Sequence, residues 1–107
     1  MILSTTYDLP HRGVTKILGL VKGNTIRARH VGHDIMAQMK NLVGGEISDY
    51  TKMMAETREQ AIDRMIADAV KLDADAIVGI QFSTSYIMTG AAELLVYGTA
   101  VKIAPEE

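Results

Sequence analysis

Residues 76–101 carry one formal charge, Glu93, in 26 positions. Two apolar runs, 77–82 and 94–101, stand on either side of Thr89-Gly90. Each run has strand length, and a turn dipeptide parts them, so the stretch predicts a β-hairpin apolar on both faces. Read as a pleated surface, Val78, Ile80 and Phe82 point one way, and Ile77, Gly79 and Gln81 point the other. In the second run, Leu94 and Val96 share a face with Gly98 and Ala100. Leu95, Tyr97, Val101 and Ile103 form the opposite face. A sheet of this kind needs cover on both sides. The same stretch is long enough to raise the question of a membrane span. Gln81, Ser83-Thr84-Ser85, Glu93 and the central Thr-Gly break argue against a spanning helix.

The cover comes from earlier in the chain. Residues 50–72 contain no Gly or Pro. Ala55, Ile62, Met65, Ile66, Ala69 and Leu72 fall on one face at about 100° per residue, which predicts a long amphipathic helix. Arg58 lies three, four and seven residues from Ala55, Ile62 and Met65, which places it inside that apolar stripe. A shorter helix is predicted over 32–43 from Ile35, Met36, Met39 and Val43, with Gly44-Gly45 as its stop and Ser48 or Asp49 as the cap of the next helix. Residues 2–6 fit an edge strand that ends at Asp8-Leu9-Pro10. Residues 14–21 continue past Gly23-Asn24 into 25–28, as one bent strand or a tight hairpin. Residues 73–75 connect the long helix to the 76–101 hairpin, and 104–107 form a polar tail. The expected fold class is α+β: a β-β-α-α-β-β subunit, with one long helix packed on an antiparallel sheet.

The length of 107 residues predicts one domain, spanning 1–107. One long helix covers one sheet face, and the short helix covers part of the other. The remaining apolar sheet predicts a contact between copies, hence a homo-oligomer. A net charge of −2 with no basic run, and only five aromatic residues, argue against a nucleic-acid partner. The absence of cysteine excludes disulfide frameworks, thiolate zinc sites and cysteine nucleophiles. Met1-Ile2-Leu3 leads into Ser4-Thr5-Thr6 without the basic stretch and long apolar run of an export signal, so the cytoplasm is the expected compartment.

The runs AETREQAIDRMIADAVKLDADAIVGIQF at 55–82 and AELLVYGTAV at 92–101 resemble the YbjQ-like family. GLVK at 19–22, DIM at 34–36 and NLVGGEISDY at 41–50 extend the resemblance over nearly the whole chain. The family is described as heavy-metal-binding. The resemblance implies a small α+β subunit that assembles into a homopentameric ring, with two rings stacked into a decamer as the larger form. It implies no settled activity.

Three groups of residues could carry chemistry. His30 and His33 stand three apart with Asp34 beside them, a donor set suited to a divalent transition metal such as zinc, nickel or copper. Two surface histidines at a helix start are the plainer reading, since no third or fourth ligand is identifiable. The methionines, with close pairs at Met36 and Met39 and at Met53 and Met54, suit Cu(I) in principle, but methionine is chiefly a core gap-filler. Arg58 and Glu93 are charges in apolar settings, and each needs a partner. The expected partner is the other, within a subunit or across an interface. The pair then serves either as a structural ion pair or as a ligand-binding or acid–base site. Gly44-Gly45-Glu46 lacks the lysine and the spacing of a phosphate loop. The function expected is therefore a homo-oligomer that binds a metal ion or small ligand at or near subunit interfaces. The alternatives are an enzyme with an interfacial site and a purely structural assembly module.

Overall fold

The computed structural model describes residues 1–27, 45–88 and 91–105, with side chains over 1–26, 54–85 and 93–105. Strand β1 spans Ile2–Leu3, β2 Val14–Arg27, helix α1 Gly45–Lys71, β3 Ala76–Met88 and β4 Ala91–Ile103. The predicted short helix over 32–43 lies outside the described residues, so the described order is β-β-α-β-β. The sheet has the order β1-β3-β4-β2. It is mixed rather than antiparallel: β4 runs antiparallel to both neighbours, but β1 pairs β3 in parallel through Ile2 with Ala76 and Leu3 with Ile77. A two-residue strand reached from the chain start has no hairpin to dictate its direction, so the sequence pattern left that pairing open.

The predicted hairpin is present as β3 and β4, paired from Ala76 opposite Val101 out to Met88 opposite Ala91. Its ladder slips at two places, between Val78 and Gln81 and between Tyr86 and Met88, and the first changes the side-chain alternation in the core. Gly79 takes a φ of +64°, in the left-handed region that glycine enters at no steric cost. The ladder slips between Val78 and Gln81 at that point. The bulge moves Ile80 onto the face of Ile77, where both join the core with Val21, Val96 and Ala100. Ile80 and Phe82 therefore do not share a face with Val78, as strict alternation had predicted, and Gln81 lies on the side away from the helix.

Strand β2 is continuous through Gly23-Asn24. The glycine serves close packing instead of a turn. A Cβ on Gly23 would stand 2.0 Å from the Ala61 carbonyl oxygen and 2.6 Å from the Met65 nitrogen, so the helix backbone rests directly on the strand. The helix permits this because its fully buried stripe is Thr57, Ala61, Met65 and Ala69, every fourth residue and mostly small. Ile62 and Ile66 flank that stripe half-buried. The stripe keeps the predicted Met65 and Ala69 but runs through Thr57 and Ala61 at its N-terminal end. Arg58 and Leu72 consequently fall outside it and are exposed.

The helix starts at Gly45, so Ser48 and Asp49 are interior residues and not caps. It ends in a Schellman motif: Ala74 N–H donates to the Ala69 carbonyl (3.2 Å) and Asp73 N–H to that of Val70 (3.0 Å). Asp73 occupies the left-handed position, at φ +59°, that glycine usually takes. A second core cluster, Ala76, Val78, Val101 and Ile103, lies on the face away from the helix and is covered by Ile2 and Leu9 of the N-terminal arm.

Candidate functional site: an open strand edge and its groove

A sheet exposes backbone donors and acceptors along both edges, and proteins cover or blunt them. The edge at β2 is covered by its own helix. Asp68 accepts a hydrogen bond from the backbone N–H of Lys22 (3.3 Å), and the Arg64 guanidinium donates to the carbonyl of Asn24. The edge at β3 is covered only in part. Ser4 N–H donates to the Ile77 carbonyl (2.9 Å), Gly79 N–H to that of Thr6 (2.9 Å) and Ile80 N–H to that of Ser4 (3.1 Å). Beyond Ile80 the strand runs to Met88 with no strand paired to its outer side among the described residues. Residues 82–88 hold no charge and no proline, the usual protections of a free edge.

An apolar groove lies along this edge. The helix packs chiefly on β2 and β4; on the helix-side face of β3, Ile77 and Ile80 are buried but Phe82 is left exposed. Leu3, Ile62, Met65, Ile80 and Phe82 line a groove of about 170 Å³ there. Phe82 is 49 % exposed. Arg58, one helical turn before Ile62, stands on the same side of the helix as this lining. On the opposite sheet face, at the far edge, Ile17, Leu20 and Ile26 are 70 %, 67 % and 53 % exposed.

Arg58 and Glu93 are not paired within the chain. Glu93 is half-buried on the face away from the helix, and its carboxylate accepts a hydrogen bond from the Asn24 side-chain amide (3.0 Å). The ion pairs among the described residues join Lys102 to Asp73 (3.2 Å) and Asp75 (3.6 Å). Asp75 also accepts from the Ile103 backbone N–H (3.1 Å). That bond, helped by the Lys102 charge, holds the Asp75 carboxyl below its ordinary pKa, while the bond to Asp73 raises that of Lys102. Sequence reasoning passed over this cluster because residues 73–75 read as a plain connector. The signal for it was Asp73-Ala74-Asp75 together with Lys102, the one basic residue of the last strand.

His30, His33 and Asp34 lie outside the described residues, as do Met36 and Met39. Among the described residues, no three His, Cys, Asp or Glu side chains stand close enough together to hold a metal. His11 is exposed at a positive φ of 67°, in the turn closed by Leu9 and Arg12. Among the described residues no helix is long and apolar enough to cross a membrane.

One long helix across a four-stranded mixed sheet is an α+β arrangement with a solved counterpart. A crystal structure of a protein of unknown function from Pediococcus pentosaceus, assigned to the DUF74 family, superposes with a TM-score of 0.64 over 97 % of this chain and 98 % of its own. At 18 % identity that likeness shows the fold alone. The chain belongs to the YbjQ_1 family, described as "Putative heavy-metal-binding", whose pattern it matches over residues 1–104. A UPF0145 protein of Archaeoglobus fulgidus is 56 % identical over 103 residues, covering 96 % of this chain and 95 % of its own length. One from Thermosipho melanesiensis is 55 % identical over 107 residues, covering 100 % and 99 %.

Proposed function

We propose that this protein is a self-assembling subunit, in which the outer edge of β3 and its groove receive an extended segment and an apolar side chain from a neighbouring copy. The edge beyond Ile80, which has no strand beside it among the described residues, carries this reading. Backbone groups offered there are satisfied by an added strand, and the groove beside it takes alternate side chains of that strand. The neighbour is a second copy because this chain exposes apolar residues at both edges of its sheet, on opposite faces. A two-fold dimer joins like patches. A head-to-tail contact joins unlike ones, and it closes into a ring when the rotation closes. The ring proposed is of five copies, or ten in two stacked rings, as the YbjQ-like resemblance implies. Such a ring would bring Arg58, on the groove side of the helix, near a neighbouring copy. The test is Phe82→Asp, which places a carboxylate in the apolar contact. It should lower the assembled mass to that of one chain while far-ultraviolet circular dichroism keeps the helix signal. Retention of the parental mass would refute this edge as the contact.

The family description favours a second reading: binding of a divalent transition metal by His30, His33 and Asp34. Titration calorimetry with zinc, nickel and copper should give a heat that disappears in the double variant His30→Ala, His33→Ala. Binding that survives the double variant would rule out these ligands.

A further inference from the structure

On the sheet face away from the helix a polar row crosses β3, β4 and β2. The pairing register sets Gln81 of β3 opposite Tyr97 of β4, and Tyr97 opposite Lys22 of β2. Val21 and Gly23 face the helix, so Lys22 between them faces the other way. Tyr7 of the N-terminal arm extends the row past Gln81. Its ring lies against Gly79, where a Cβ would come within 2.8 Å of a ring carbon. The same bulge turns Gln81 onto this face.

The hydrogen bonds of the row run in one direction. The Tyr97 hydroxyl donates to the Gln81 carbonyl oxygen (3.1 Å), and the Gln81 amide donates to the Tyr7 hydroxyl oxygen (3.4 Å). That leaves a row rich in spare donors: the Tyr7 O–H, the second Gln81 N–H and the Lys22 ammonium. Tyr7 is 71 % exposed, and its O–H is free to turn toward a ligand because the hydroxyl oxygen acts as acceptor toward Gln81. The row contains no carboxylate. On this face the next row toward Glu93 is Asn24, Leu95 and Ser83. Glu93 lies one row beyond and is already engaged by Asn24. The carboxylate nearest Lys22 is Asp68, which accepts from its backbone N–H at the β2 edge; along the row itself there is a surplus of donors and one ammonium.

We propose that the row Tyr7, Gln81, Tyr97 and Lys22 is a binding site for a small oxyanion, a phosphate or a carboxylate. The ammonium supplies charge, and the phenol and amide supply directed hydrogen bonds. The pinned ring of Tyr7 holds the donor at the end of the row in place.

The experiment titrates nitrogen-labelled protein with inorganic phosphate and, separately, with succinate, at constant ionic strength. The Gln81 side-chain amide signals should shift saturably with at least one of them. Saturation by phosphate alone identifies a phosphate site, and by succinate alone a carboxylate site. Tyr7→Phe keeps the ring on Gly79 and removes only the hydroxyl, and Lys22→Gln removes only the charge. Each should weaken binding about tenfold, the worth of one hydrogen bond involving a charged group. Shifts that never saturate with either anion would overturn the proposal. So would saturable binding that both variants leave unchanged. Loss of thermal stability in Tyr7→Phe without any anion effect in either protein would reduce the row to a clamp on the N-terminal arm.

Discussion

At Gly23 the helix backbone lies directly against the strand, with no room for a Cβ between them. A methyl group there would overlap the backbone at Ala61 and Met65, which cannot retreat without lifting the whole helix. Gly23→Ala should destabilise the fold by on the order of 2–3 kcal/mol, the upper range for overpacking, read as a shift in the urea midpoint. An unchanged midpoint would mean that the helix is not seated there. Asp75 makes a prediction in pH. Its pKa is lower folded than unfolded, so its stabilisation is present above the unfolded value and is lost as pH falls through the folded one. Asp75→Asn should therefore be less stable than the parent near neutrality. The two curves should converge as pH drops below the ordinary aspartate value of 3.8. Parallel curves down through that range would show that the carboxylate is not held by Ile103 and Lys102.

At the scale of elements, the sequence showed the hairpin and the long helix plainly, because each has a strong period and few interruptions. It hid what depends on contact between elements. The period of the helix predicted an amphipathic face through Met65 and Ala69 but missed its run through Thr57 and Ala61. Thr57 and the two alanines look weak as core residues until Gly23 brings the strand against them. That difference put Arg58 inside the stripe on paper and outside it in the fold. The bulge at Gly79 was equally hidden, since a glycine in a strand announces neither its φ nor the slip it causes. The end of the helix was legible to within a residue, but not that Asp73 takes the left-handed position usual for glycine. The Arg58 and Glu93 hypothesis now takes a sharper form. Within one chain the groups lie on opposite sides of the sheet. Arg58→Met and Glu93→Gln should be additive to within about 0.5 kcal/mol in denaturant unfolding, as for sites without contact. A larger coupling in the assembled protein would place the pair across a subunit contact.

The whole molecule is built from elements longer than a domain of this size needs. A helix of 27 residues is about 40 Å long, and strands of 13 and 14 residues are of similar length. A compact chain of this length has a radius of gyration of about 13 Å. Long elements in two layers leave edges and faces over, and here they leave the β3 edge, its groove and the isoleucine and leucine side chains of β2. Burying such surface contributes about 25 cal/mol per Å² before the costs of association. Such surface favours self-association, which the mass of the protein in solution reports. Light scattering at micromolar concentration should return five or ten times the chain mass of 11.7 kDa. A stable mass of 11.7 kDa under those conditions would contradict the account.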